Sequence, residues 1–162
     1  MILTREAARK PLLTEVLDVV NRRARVNIEL KGEGTASAVA ELINKYVTEK
    51  GWTNGDFFVS SFNHHELQRF KQLQPNVEIG ALITGMPLDY AKFAEDMGAA
   101  SVNPSIEFID KAYVDDAHAR GLKVYVFTVD EIDDFELLRG LGVDGVFSNH
   151  PDLLLGHEAK LK

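Results

Sequence analysis

Val26-Asn27-Ile28-Glu29-Leu30-Lys31 is the stretch on which the fold turns. Side chains alternate across a strand, so Val26, Ile28 and Leu30 share one face, and Asn27, Glu29 and Lys31 share the other. Strands covered on both faces normally read as unbroken apolar runs. Here one face suits packing on helices, while the other directs a carboxylate and an ammonium away from them. Isolated buried charges cost several kcal/mol. They are tolerated where they pair, or where they meet a ligand near a strand's C-terminal end, as in barrels. Two readings follow. In one, the segment is an edge strand with a wet polar face or a structural Glu29–Lys31 pair. In the other, Glu29 is a metal ligand beside a phosphate-contacting cation, Lys31. Carboxylates suit the hard cations Mg2+ and Ca2+, and a lysine near a phosphate neutralises developing charge.

Outward from this segment, helical and strand periods alternate. An amphipathic helix over 11–23 places Leu13, Val16, Leu17 and Val20 at helical spacing. A helix over 37–49 is closed by Gly51, and a strand over 57–62 follows. Asn63 caps a helix that ends before Pro75. Strands over 77–83, 100–103, 123–129 and 145–148 are separated by helices over 88–97, 111–120 and 135–139. Asp133 and Glu136 read as a capping box for the last of these. A short helix starts at Pro151. The join of helix, glycine and apolar strand recurs at Gly98, Gly121 and Gly142. About six strands with helices between them imply a parallel sheet with helical crossovers. An open doubly wound sheet and part of a (β/α) barrel both fit. A complete barrel needs about 250 residues, and this chain has 162. No linker or low-complexity stretch divides it, so residues 1–162 read as one domain.

Composition narrows the function. Hydrophobic residues make up 45% and charged residues 27%, an ordinary globular mixture. The net charge of −7, with no basic stripe, argues against nucleic-acid binding. An anionic substrate needs a metal or a few placed cations. The chain has no cysteine, which excludes disulfides, thiolate metal sites and cysteine nucleophiles. No apolar run reaches the ~20 residues of a membrane span. The N-terminal MILTREAARK is charged and lacks a signal core, which favours a cytoplasmic protein.

Several motifs then carry a family resemblance. Asn27-Ile28-Glu29-Leu30-Lys31 resembles the N-I-E-L-K strand of glycerophosphodiester phosphodiesterases. Ser60-Ser61-Phe62 before a helix is similar to their S-S-F strand end, and Val102-Asn103-Pro104 to their L-N-P. Phe127-Thr128-Val129-Asp130 resembles W-T-V-N. The run from Gly142 to Asn149 resembles the closing G-V-D-G-I-I-T-D, with Pro151 after it. The segment 11–17 is similar to the helix before the charged strand. The motifs stand in the family's order and cover nearly the whole chain.

The resemblance implies a (β/α)8 TIM barrel of the phospholipase-C-like phosphodiesterase type, incomplete here and lacking the first strands. It implies hydrolysis of glycerophosphodiesters to sn-glycerol 3-phosphate and an alcohol in the full-length family, with a non-catalytic module that binds another phosphorylated small molecule or a partner as the alternative for this chain. Glu29 matches the family's metal ligand and Lys31 the catalytic lysine at the phosphate. Phe62 and Phe127 match residues that line the substrate pocket. No cofactor other than a divalent metal, Mg2+ or Ca2+, is implied.

The departures are as informative. The family's His-Arg-Gly strand, Glu-Asn-Thr segment, Glu-x-Asp strand and His-Asp strand do not occur in this sequence. Those motifs carry the acid/base histidines and the other metal carboxylates, so weak or absent hydrolysis and weak metal binding are expected of this chain alone. Two open sheet edges are also expected, and with them homodimerisation or aggregation. His64 and His65 diverge by about 100° on a helix and read as exposed. His118 and His150 read as surface residues. The acidic residues from Asp130 to Glu136 lack EF-hand spacing and read as a charged helix start. Ser60-Ser61 lacks a nucleophile elbow. Gly142 to Gly145 suits either a phosphate-binding loop or helix capping.

Overall fold

Leu13–Val20 (α1) leads into Val26–Glu29 (β1), and every later strand is reached through a helix. Thr35–Glu49 (α2) precedes Phe57–Ser61 (β2), and His64–Leu73 (α3) precedes Glu78–Ile83 (β3). Lys92–Asp96 (α4) precedes Ser101–Pro104 (β4), and Lys111–Ala119 (α5) precedes Lys123–Val126 (β5). Ile132–Leu141 (α6) precedes Gly145–Val146 (β6), and Pro151–Lys160 (α7) follows. This computed structural model describes residues 9–160. The N-terminal stretch MILTREAA, part of the segment read above as lacking a signal core, lies outside the described residues. No described helix is long and apolar enough to cross a membrane.

All strands are parallel, in the order β1-β2-β3-β4-β5-β6. Each connection steps to the next strand in the same direction. Right-handed crossovers then put the helices on one face only. A doubly wound sheet would reverse direction at a switch point, and none is present. The result is a curled half-barrel, an incomplete TIM-type α/β fold. The curl is visible in the aromatic contacts. Phe58 of β2 and Tyr125 of β5 stand edge to face with ring centres 6.2 Å apart. In a flat sheet their strands would be about 14 Å apart.

The convex face is packed by alternation. Ile28, Val59, Ile79, Ala81, Val102, Val124 and Val126 are buried against a helical layer that includes Leu17, Ile43, Phe70, Ala94, Ala117 and Leu138. Phe57 is fully buried and stacks on Trp52 at 5.0 Å. On the concave face Gly80 makes room. A Cβ there would lie 2.4 Å from Phe58 Cζ and 2.7 Å from Asn103 Nδ2.

Some boundaries differ from the sequence reading for tertiary reasons. α4 begins only at Lys92, after Tyr90, whose φ of 43° is not helical, and the N–H of the N-cap Ala91 donates to Asp116 Oδ2 of α5 at 3.0 Å. α6 begins at Ile132 without the predicted Asp133–Glu136 capping box. Glu136 instead meets His157 of α7 at 2.8 Å and Arg139 at 3.0 Å. The regular ladder of β5 stops at Val126. Phe127 keeps one bridge to Ser105, and the Phe127–Thr128 peptide is cis.

Candidate functional site

Parallel strands end on one side, so the residues at their C-terminal ends converge. Asn27 and Glu29 of β1, Ser60 of β2 and Leu82 of β3 line a cavity of about 180 Å3 there. Phe62, Phe127, Thr128 and Phe147, just beyond their strands, complete the lining. Period-two alternation places Glu29 in it: Ile28 packs outward on the helices, so Glu29 turns inward. Its Oε2 lies 3.2 Å from Lys31 Nζ, with the Glu29 side chain 30% exposed and that of Lys31 77%. Ser60 Oγ donates to Asn27 Oδ1 at 3.1 Å. Phe62 and Phe127 stand edge to face at 5.4 Å and 89°.

Three of the residues singled out from the sequence, Glu29, Phe62 and Phe127, therefore share one cavity. Lys31 joins them through its ion pair with Glu29. The sequence reading did not assign Asn27, Ser60 or Phe147 to the site. The first two had a signal, since both lie two positions from a residue that was assigned. Leu82, also unassigned, had none, because it lies in the apolar run from Ile79 to Ile83.

A second cavity, of about 260 Å3, is lined by Arg25, Asn27, Phe58, Tyr125, Gly145, Val146 and Phe147. It lies toward the strands' N-terminal ends. Arg25 is committed there: it donates to Phe57 O at 3.1 Å and Glu78 Oε2 at 2.7 Å, over the Phe58 ring. This cavity offers walls rather than reactive groups.

Two residues read as surface features have other duties. His64 stacks on Phe93 at 5.2 Å, and its Nε2 donates to Leu82 O at 2.9 Å, so it braces α3 against β3 and α4. Asp130 accepts from Asn149 N at 2.7 Å, Asn149 Nδ2 at 2.9 Å and Ser148 Oγ at 3.1 Å. It ties the loop after β5 to the loop after β6. These bonds, those from Asn149 first, hold its carboxyl below the ordinary value of 3.8. His118 is exposed, as read, and pairs with Asp144 at 2.9 Å.

A divalent cation of the hard type takes at least six oxygen ligands, several of them from carboxylates or water. Among the described residues no group of three or more His, Asp or Glu could hold a metal ion. Glu29 is the one carboxylate among the residues lining the cavity, and an ammonium engages it. The described residues do not make a metal cage.

A curled parallel sheet with polar and aromatic groups gathered at its strand ends defines the class: part of a (β/α) barrel. Residues 3–153 match the model of the glycerophosphoryl diester phosphodiesterase family, and the chain belongs to that family. It is 30% identical over 149 residues to a glycerophosphodiester phosphodiesterase of Caldanaerobacter subterraneus, covering 91% of this chain and 61% of that protein. It is 31% identical over 151 residues to one of Bacillus altitudinis, covering 88% and 60%. Among solved structures, a phosphodiesterase of Oleispira antarctica in complex with the product sn-glycerol-3-phosphate superposes with a TM-score of 0.80. Identity there is 26%, over 90% of this chain and 60% of that one. The chain thus spans about three-fifths of the length of these relatives.

Proposed function

We propose that the cavity at the strand ends recognises the glycerophosphate part of a glycerophosphodiester, and that this chain alone hydrolyses it weakly or not at all. The observation that carries the reading is the Glu29–Lys31 pair beside a cavity walled by Phe62 and Phe127. Lys31 is largely exposed and carries three donors, so it can exchange Glu29 for a phosphate oxygen. The aromatic pair offers an apolar wall to the glycerol carbons. The product bound to the Oleispira relative is the ligand this arrangement suits.

Hydrolysis adds water across the ester, yielding sn-glycerol 3-phosphate and an alcohol. It needs a base for the attacking water and an acid for the leaving alkoxide. The nearest histidine by sequence to Phe62, His64, is bound to a backbone carbonyl. Lack of one such group removes about 10²- to 10⁴-fold of rate. Glu29 offers a Mg2+ or Ca2+ ion at most one carboxylate, so such an ion is held weakly. A non-catalytic module that binds a phosphorylated ligand is the second reading, favoured by the absence of a metal cage among the described residues. The same reading takes residues 1–162 as one barrel unit in a cytoplasmic setting, self-associating through β1 and β6, which end the strand order.

Calorimetry with sn-glycerol 3-phosphate tests the site. Binding is expected, weakened roughly tenfold or more by Lys31→Ala. Unchanged affinity in that variant overturns the assignment of Lys31. Turnover of glycerophosphocholine with added Mg2+ or Ca2+ is expected to be slow or absent, and rapid metal-dependent turnover refutes that part. Light scattering decides the dimer, which a monodisperse monomer excludes.

A further inference from the structure

We infer that Glu66, on α3, is a positioning residue that sets the segment carrying Lys31. The inference rests on the reading of Lys31 as the phosphate contact. Residues 30–34 link β1 to α2. At the far end of this link, Gly34 is the N-cap of α2, with φ 74° and no side-chain cap. A glycine there relieves the backbone but leaves the first-turn N–H groups without acceptors. Glu66 supplies the acceptor from the next helix. Ala36 N–H donates to its Oε2 at 3.1 Å. Its Oε1 accepts from Arg69 at 3.0 Å. The residue is 5% exposed, and the carboxyl is held below its ordinary value by the Ala36 bond first.

The near end of the link is fixed with equal care. Ser61 is fully buried. Its Oγ donates to Leu30 O at 2.7 Å and accepts from Asn63 N at 3.0 Å. Leu30 N–H donates to Ser60 O at 2.8 Å. Within the link, Thr35 Oγ1 donates to Gly32 O at 2.7 Å. Lys31 is therefore held between Ser61 on one side and Glu66 on the other. Phe62 sits between the same two residues in the chain. The charged and aromatic parts of the site become one body, so a ligand has less chain to order on binding.

A double-mutant cycle with isotope-labelled protein tests this, at a temperature where circular dichroism shows every variant folded. Glu66→Ala is expected to weaken sn-glycerol 3-phosphate binding on the order of tenfold, and Glu66→Gln less, since its amide oxygen can still accept from Ala36 but its NH2 group cannot accept from Arg69. They should also shift the backbone amide resonances of Lys31, Gly32 and Glu33. In a Lys31→Gln background the same changes should cost no further affinity, since the effect passes through Lys31. A residue that only caps α2 would move the Ala36 amide alone and leave affinity unchanged; that result, or an equal loss in both backgrounds, overturns the inference. If Glu66→Ala does not fold, the isosteric Glu66→Gln carries the cycle. If the unaltered chain shows no binding, the ligand reading fails, and the Lys31 to Glu33 resonances decide the role of Glu66 by themselves.

Discussion

Strand β2 is buried along its whole length, whereas its ladder neighbour β1 buries only Ile28. The two share one register, with Ile28 opposite Val59 and Glu29 opposite Ser60. Their convex faces do the same work, packing on helices. The concave faces differ in what lies across from them. Phe58 of β2 meets Tyr125 of β5 and covers Gly80. Asn27 and Glu29 of β1 meet a cavity instead. An interior strand is selected for close packing, because buried volume carries stability. A strand bordering a cavity can hold charge, because its carboxylate keeps a partner and some solvent.

The sharpest way to break this contrast is to truncate both sides. Phe57→Ala in β2 empties a fully buried ring site stacked on Trp52. It should cost about 3–5 kcal/mol in urea unfolding. Glu29→Ala in β1 loses a partly exposed ion pair, which at 77% exposure of Lys31 is heavily screened. Its cost should stay within about 1 kcal/mol. Comparable losses at the two positions would end the contrast.

A smaller effect sharpens it. Gly80→Ala puts a methyl where the Phe58 ring and the Asn103 amide now lie. The ring must move, at a cost of about 1–3 kcal/mol read from thermal unfolding. Because Phe58 faces the N-terminal cavity and not the Glu29 cavity, sn-glycerol 3-phosphate affinity should hold. A parallel fall in affinity would mean that the two cavities respond as one.

The smallest effect concerns acid. The Asp130 carboxyl is depressed in the folded chain, so its stabilising contribution is complete above the unfolded value of 3.8. It is lost as pH falls through the lower folded value. Melting curves taken from about pH 6 down to about pH 3 should therefore show a shallower acid loss for Asp130→Asn than for the unaltered chain. An identical acid limb would show that tying the two loops adds nothing to stability.

What the sequence determined by itself was short-range. The period of side-chain alternation put Glu29 on the face opposite Ile28. Asn63 was read as a helix cap, and its Oδ1 does accept from His65 N and Glu66 N. The helix–glycine–strand joins at Gly98, Gly121 and Gly142 carry the left-handed backbone that ends a helix. These follow from backbone sterics and bonds between residues a few positions apart, so local residue types suffice to encode them.

The tertiary structure alone decided which side chains meet across the chain. Glu66 reads locally as an acidic residue in the first turn of its own helix, yet its carboxylate caps α2 through Ala36, 30 residues earlier in the chain. Glu136 leaves its expected capping box for His157, and His64 leaves solvent for Phe93 and Leu82. The choice between an open sheet and a curled one was likewise made by strand order. A side chain's partner depends on register and curl summed over the whole sheet, and no window of neighbouring residues contains that sum.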